Sequence, residues 1–549
     1  MSSAGPLGDL EAHVRAAAAA VSEGVVGEPP AQLRVERSRR QGQGDYSTNA
    51  AMLLAPAMGQ SPREVAQPMA EKLEELLGDD LERAEVAGPG FLNLFLSDRW
   101  HQRTLSAVLA AGEAFGRGGA DQPEHVMIEF VSANPTGPLV AASGRHAAYG
   151  DALARILEHQ GHAVWREYYF NDAGNQIRLL GQSVRARARD EPVPEGGYQG
   201  DYVRQLAQDI REAAERDPDE LAAEAVDRLL EDIKGTLERY GVRYDAYFSE
   251  RRLHEGSPSP VDRALAILEE TGHTYRGDGA TWLRTTTFGD DKDRVVVRSN
   301  GEPTYLAADV AYLQDKRERG FDRQLMPVGS DHHAYVRELK AAMAALGGDP
   351  ETVEVPILQF VHLVGEAGSL HAMSKRAGSF VRLDDLLDAI GVDATRFFML
   401  RSSHDRTLDL DLELAARQSA ENPVYYVQYA HARIASMLRR VPAERLEEAV
   451  GLEAELGSQP LEATERELIR RIATFPEEVA EAALRRAPHR IVAYCLDLAR
   501  DFTAFYEHCR VVGAEPPSVE SFRVALSAAA QRTIAASLDL LGVSAPDSM

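Results

Sequence analysis

Lysine is scarce in this chain. Among 549 residues there are six, at positions 72, 234, 292, 316, 340 and 375, within a Lys+Arg total of 60. Basic residues as a whole are outnumbered by 86 Asp+Glu, for a formal net charge of −26. That deficit excludes a uniformly basic nucleic-acid coat, which needs a positive excess. Cysteine is nearly absent. Cys495 and Cys509 share one helical stretch and stand roughly 21 Å apart by helical rise, too far for a disulfide. The expectation is a reduced, intracellular chain with no cysteine-based metal site. Long apolar runs are missing too, and no basic region precedes the alanine-rich start. A soluble cytoplasmic protein that does not enter a membrane is expected. An apolar content of 44% excludes wholesale disorder.

What is present divides into three units, in line with the length. Residues 1–110 read as a small α+β domain, with a linker over 105–124. Residues 120–400 read as an α/β domain: strand 126–131, helix 144–160 and strand 164–170 form a βαβ unit of nucleotide-binding type. A charged helical insertion occupies about 185–250. Further strands are expected at 295–298, 324–328 and 356–363, and none after about 390. Residues 410–549 read as all-α, with long apolar faces at 424–438, 465–484 and 489–509.

Four short segments carry chemistry. Ile128-Glu-Phe-Val-Ser-Ala-Asn-Pro-Thr-Gly-Pro138 ends a strand in a Gly/Pro turn ahead of a helix. Free N–H groups at a helix start attract phosphate, and Glu129 and Asn134 can face a cationic ligand; an ordinary capped connection fits the segment equally. Ala372-Met-Ser-Lys-Arg376 holds a rare lysine in a loop of small residues. Such a pair can neutralise triphosphate charge, or it can simply be solvated. Tyr305 and Asp309 stand at i,i+4, so on a helix they share a face. An acid beside a tyrosine suits a guanidinium, and a core pair is the alternative. Gly329-Ser-Asp-His-His333 follows a strand, where glycine permits close backbone approach and Asp331 or His332 can hold a ribose or adenine. Too few ligands lie nearby for a zinc site.

In this order, and together with Asn171-Asp-Ala-Gly-Asn-Gln-Ile177, Gly301-Glu-Pro-Thr-Tyr305 and Glu421-Asn-Pro-Val-Tyr-Tyr-Val-Gln-Tyr-Ala-His-Ala-Arg433, the segments resemble class I arginyl-tRNA synthetases. The resemblance covers nearly the whole chain. It implies a Rossmann-type catalytic domain, an N-terminal add-on domain that binds tRNA, and a helical anticodon-binding domain at 410–549. It implies arginine–tRNA ligation through an arginyl-adenylate. The substrates would be L-arginine, ATP with Mg²⁺ and tRNA(Arg), with no tightly bound cofactor and no DNA, in a monomer. By motif position, Glu129, Asn134, Tyr305 and Asp309 would bind arginine. Gly137, Ser143, Gly329, Asp331, His332 and Met373 would bind ATP. Ser374, Lys375 and Arg376 would be catalytic, and Tyr426, Tyr429 and Arg433 would face the RNA.

The chain departs from the family chiefly at two places. Where the His-x-Gly-His signature belongs, it reads Val140-Ala-Ala-Ser143, and Ala372 replaces the first lysine of the phosphate loop. The missing groups act on the ATP phosphates, and losing one such donor costs on the order of a hundredfold in rate. Two expectations follow. One is a ligase helped by Ser143, Arg145 and Lys375. The other is an impaired paralogue that binds tRNA or arginine in a regulatory role. Arginine groups at 34, 37, 39 and 40, at 185, 187 and 189, at 433, 439 and 440, and at 485, 486 and 490 are expected to supply RNA-binding patches on the acidic body.

Overall fold

The computed structural model describes residues 5–38, 42–364, 381–451 and 459–549. In the N-terminal unit, helices Pro6–Val21 and Pro62–Leu77 cover an antiparallel sheet. Its strand order is Val35–Arg37, Tyr46–Thr48, Phe91–Leu96, Leu81–Ala87. Helix Pro62–Leu77 is started by a capping box of Ser61 and Glu64. The presumed linker is partly helical, since helix Asp98–Ala111 runs into it.

The central domain is built on β1 (His125–Glu129), α1 (Ala141–His159), β2 (Ala163–Phe170), β3 (Ala246–Ser249), α2 (Tyr305–Glu318), β4 (Arg323–Leu325), α3 (His333–Ala345) and β5 (Val353–Glu354). The five strands form one parallel sheet in the order β5-β4-β1-β2-β3. The chain builds outward from β1 on one side, then returns to its other side. That reversal opens a crevice at the carboxyl ends of β1 and β4, where ligands bind in doubly wound sheets. Helix α1 lies close on the sheet because residue 150 is glycine; a Cβ there would sit 2.2 Å from Phe130 Cγ.

Several elements differ from expectation. β3 ends the insertion that reads as helical, and β5 has two residues, too short for a periodic signal. Strand 295–298 belongs instead to a separate antiparallel sheet of Thr274–Gly277, Ala280–Leu283 and Arg294–Val297. A further strand, Leu408–Asp411, pairs in parallel with Val361–Val364. The helix expected over 465–484 breaks at Thr474, between Ala463–Ala473 and Phe475–Leu484, with Pro476 in the second helix's first turn.

The C-terminal helices, chiefly Pro423–Leu438, Ala463–Ala473, His489–His508 and Pro517–Leu540, form a bundle that continues the core of the central domain. Arg396 clips the two together. Its side chain is fully buried against Asp151 of α1 and donates to Tyr240 O at 3.0 Å and Leu541 O at 2.9 Å. Gly542 makes room for it: a Cβ would stand 2.2 Å from Arg396 Nη2, and φ is +65°. Among the described residues, no helix is long and apolar enough to cross a membrane.

Candidate active site and RNA-facing surface

The crevice holds a cavity of about 350 Å³ lined by Glu129, Ser132, Tyr169, Asp309, Lys316 and Tyr335, with Gly329 and His332 at one side. Just after β1 the backbone is strained. Val131 and Ser132 both have positive φ, at 68° and 41°. Such values are costly for side-chain-bearing residues and persist only when the surroundings enforce them. Here Ser132 Oγ donates to Glu129 Oε1 at 3.1 Å and accepts from Tyr169 N at 3.2 Å, while Tyr168 donates to Ala133 O at 2.7 Å. The turn thereby fixes the Glu129 carboxylate.

Asp309 stands opposite, on α2. Burial pushes its carboxyl up to about 7, and the charges of Glu129 and Glu250 add to the rise. A hydrogen bond from Tyr335 and the charge of Lys316 oppose it. Two carboxyls around one cavity, one of them destabilised by its neighbours, are poised for a cation that satisfies both. A planar guanidinium with five donors fits that demand better than a point charge.

Glu129, Asp309, Gly329 and His332 thus meet in one place. Tyr305 does not join them: at the first position of α2 it is 74% exposed, and it is absent from the cavity wall. Asn134 is also outside that wall. It accepts from Asn171 N at 3.1 Å and donates to Gln176 at 3.2 Å, tying the strand end to the loop after β2. Gly137 is buried under the ring of Tyr202, which a Cβ would meet at 3.1 Å. The side chain of Asp331, and Met373, Ser374, Lys375 and Arg376, lie outside the described residues.

The departed signature forms the start of α1. Its first N–H groups are largely occupied: Ala141 N donates to Val381 O at 2.9 Å and Ser143 N to Val140 O at 2.8 Å. Val140 also bridges to Arg382. Arg145 cannot assist with phosphate. It is 2% exposed and donates to Gln359 O at 2.8 Å and Ser403 O at 2.9 Å. His146 lines the cavity instead.

A second cavity, about 590 Å³, opens on the C-terminal bundle between Tyr429, Arg433, Arg439, Arg440, Tyr506 and Arg510. Arg433 lies over the Tyr429 and Tyr506 rings at 4.7 and 5.1 Å, and both tyrosines are exposed. Exposed rings with cations above them are a stacking platform for bases. Tyr426 is not part of it; half-buried against the core, it donates to Thr503 at 3.1 Å. In two of the other expected patches, arginines pair with the protein's own carboxylates. Arg37 pairs with Glu467, Arg485 with Glu481, Arg486 with Glu354, and Arg490 with Glu478.

Comparison with known proteins agrees with this layout. Residues 104–436 match the class I tRNA synthetase (R) catalytic domain, residues 8–96 the arginyl tRNA synthetase N-terminal domain, and residues 427–549 the DALR anticodon binding domain. A Campylobacter jejuni chain assigned as an arginyl-tRNA synthetase is 33% identical over 83% of this chain and all of its own length, with a TM-score of 0.75. The Thermus thermophilus arginyl-tRNA synthetase is 25% identical over 98% of this chain and all of its own, also at 0.75. The Plasmodium falciparum arginyl-tRNA synthetase shares the fold, with a TM-score of 0.76 at 15% identity over the whole of both chains. Fold and site therefore define a class I aminoacyl-tRNA ligase. Within that class the chain belongs to the arginyl-tRNA synthetase family, as an arginine–tRNA ligase; nothing in the comparisons favours a purely regulatory paralogue.

Sequence reading missed Lys316 and Tyr335 as site residues. For Lys316 a signal existed: Asp309, Tyr312 and Lys316 fall at i, i+3 and i+7, one face of a helix.

Proposed function

We propose that Glu129 and Asp309 hold the guanidinium of L-arginine in the crevice, with ATP, accompanied by Mg²⁺, entering on the side of Gly329 and His332. The arginine carboxylate then attacks the α-phosphorus and pyrophosphate leaves. In the second step a hydroxyl of the terminal adenosine of tRNA(Arg) attacks the arginyl carbonyl, and AMP leaves. Lys375, with Ser374 and Arg376, is assigned by motif to the phosphates during the first step. Tyr429 and Arg433, joined by Tyr506, stack against and pair with the anticodon arm. The observation that carries this reading is the juxtaposition of Glu129 and Asp309 around one cavity, with the carboxyl of Asp309 raised to about 7.

The altered signature makes pyrophosphate exchange the deciding measurement. Arginine-dependent ATP–pyrophosphate exchange is expected when tRNA(Arg) is present. No exchange above background, from protein that still binds tRNA, would refute the ligase reading and leave a binding protein.

A further inference from the structure

Lys316 is a rare lysine that neither the motifs nor the family assignment explains. Its side chain is fully buried. The ammonium lies 2.7 Å from Glu129 Oε2, 3.1 Å from Met326 Sδ and 4.0 Å above the Tyr312 ring. Since Ser132 holds the other oxygen of Glu129, both oxygens of that carboxylate have fixed partners. A buried ion pair is seldom a net source of stability, because desolvation offsets most of the attraction. Its place in the wall of the cavity gives it a different use. Without Lys316, two carboxylates would confront a single guanidinium, and their mutual repulsion would keep one protonated. With Lys316 resident, one of the two charges is already offset.

We propose that Lys316 is a positioning residue for arginine: it pins Glu129 and offsets its charge, so that less carboxylate repulsion is left in the cavity that receives the guanidinium. This inference rests on the arginine-pocket reading. It also predicts a pH signature. Asp309 is faced by Glu129 from β1, Glu250 from the turn after β3, Tyr335 from α3 and Lys316 from its own helix. Tyr169, His146 and His332 line the same cavity. The charge of Lys316 favours ionised Asp309, so its removal keeps Asp309 protonated to higher pH.

The test is calorimetric titration of the full-length protein with L-arginine from pH 6 to 9, comparing wild type with Lys316→Met and Lys316→Gln. Both variants are expected to bind about tenfold more weakly at pH 7, with affinity recovering about one pH unit later than in wild type. Glu129→Gln added to Lys316→Met should cost less than Glu129→Gln alone. Lys316→Gln keeps a donor and most of the volume, so it carries the test if Lys316→Met does not fold. Wild type that binds arginine, with variants whose pH profiles superimpose on it, would overturn this inference alone. Wild type that binds no arginine at any pH would overturn the pocket reading beneath it.

Discussion

Replacing Asp309 with asparagine separates what this carboxyl does for binding from what it does to the fold. Burial, with Glu129 and Glu250 adding repulsion, lifts it from 3.8 to about 7. The unfolded chain releases this proton near the ordinary value, and the folded chain keeps it until about pH 7. Between those limits the folded state binds more protons, so stability falls as pH rises through the window and levels off above it. At ~1.4 kcal/mol per pH unit, the interval from 3.8 to about 7 corresponds to roughly 4 kcal/mol. Asp309 is partly exposed through the cavity, and solvent screens some of that. Asp309→Asn should therefore stabilise the ligand-free protein by about 2 kcal/mol at pH 8, with the gain shrinking as pH falls toward 4. Urea unfolding across this range measures it. Saturating L-arginine should reverse the order, stabilising wild type and leaving the variant unchanged. A gain that does not depend on pH, or equal stabilisation of both proteins by arginine, would refute the reasoning.

Arg433→Ala should weaken tRNA binding by about 1–2 kcal/mol and lower its salt slope by about one, measured by filter binding at several salt concentrations. Tyr426→Phe should leave tRNA affinity unchanged, because its hydroxyl is turned to Thr503. Arg145→Met should lower stability by about 3 kcal/mol in denaturant titration, since the carbonyls of Gln359 and Ser403 lose their donors. Val140→His with Ser143→His should raise arginine-dependent exchange; an unchanged rate would mean that the signature is not what limits activation.

The parts of the fold legible in the sequence are those with a long period. The β1-α1-β2 unit could be read because buried strands and an amphipathic helix each repeat over many residues. β5 and Leu408–Asp411 could not, because two or four residues carry no period and their pairing partners lie elsewhere in the chain. The site divides along the same line. Glu129 and Asp309 stand at motif positions that local geometry turns inward. Tyr305 shares a helix face with Asp309 in principle, yet at the first position of α2 no preceding turn covers it. Arg145 reads as a phosphate ligand only while its partners, more than 200 residues away, are unknown.

That last error has a general cause. With 60 basic residues and only six lysines, the chain is dominated by arginine. A guanidinium can serve several acceptors at once, and here it often does. Arg396 holds Asp151 and two carbonyls, and Arg486 holds Glu354 and Ala483 O. Arg145 holds carbonyls on two segments. Lysine offers no such planar fork. Runs of arginine therefore overstate the positive surface left for RNA. Once the internal clips are subtracted, the cations facing the aromatic platform are Arg433 and its neighbours Arg439, Arg440 and Arg510. On a body of net charge −26 that concentration matters. Most of the surface repels a phosphate backbone, so on the proposed reading RNA is steered toward this exposed arginine cluster, and less strongly as salt rises.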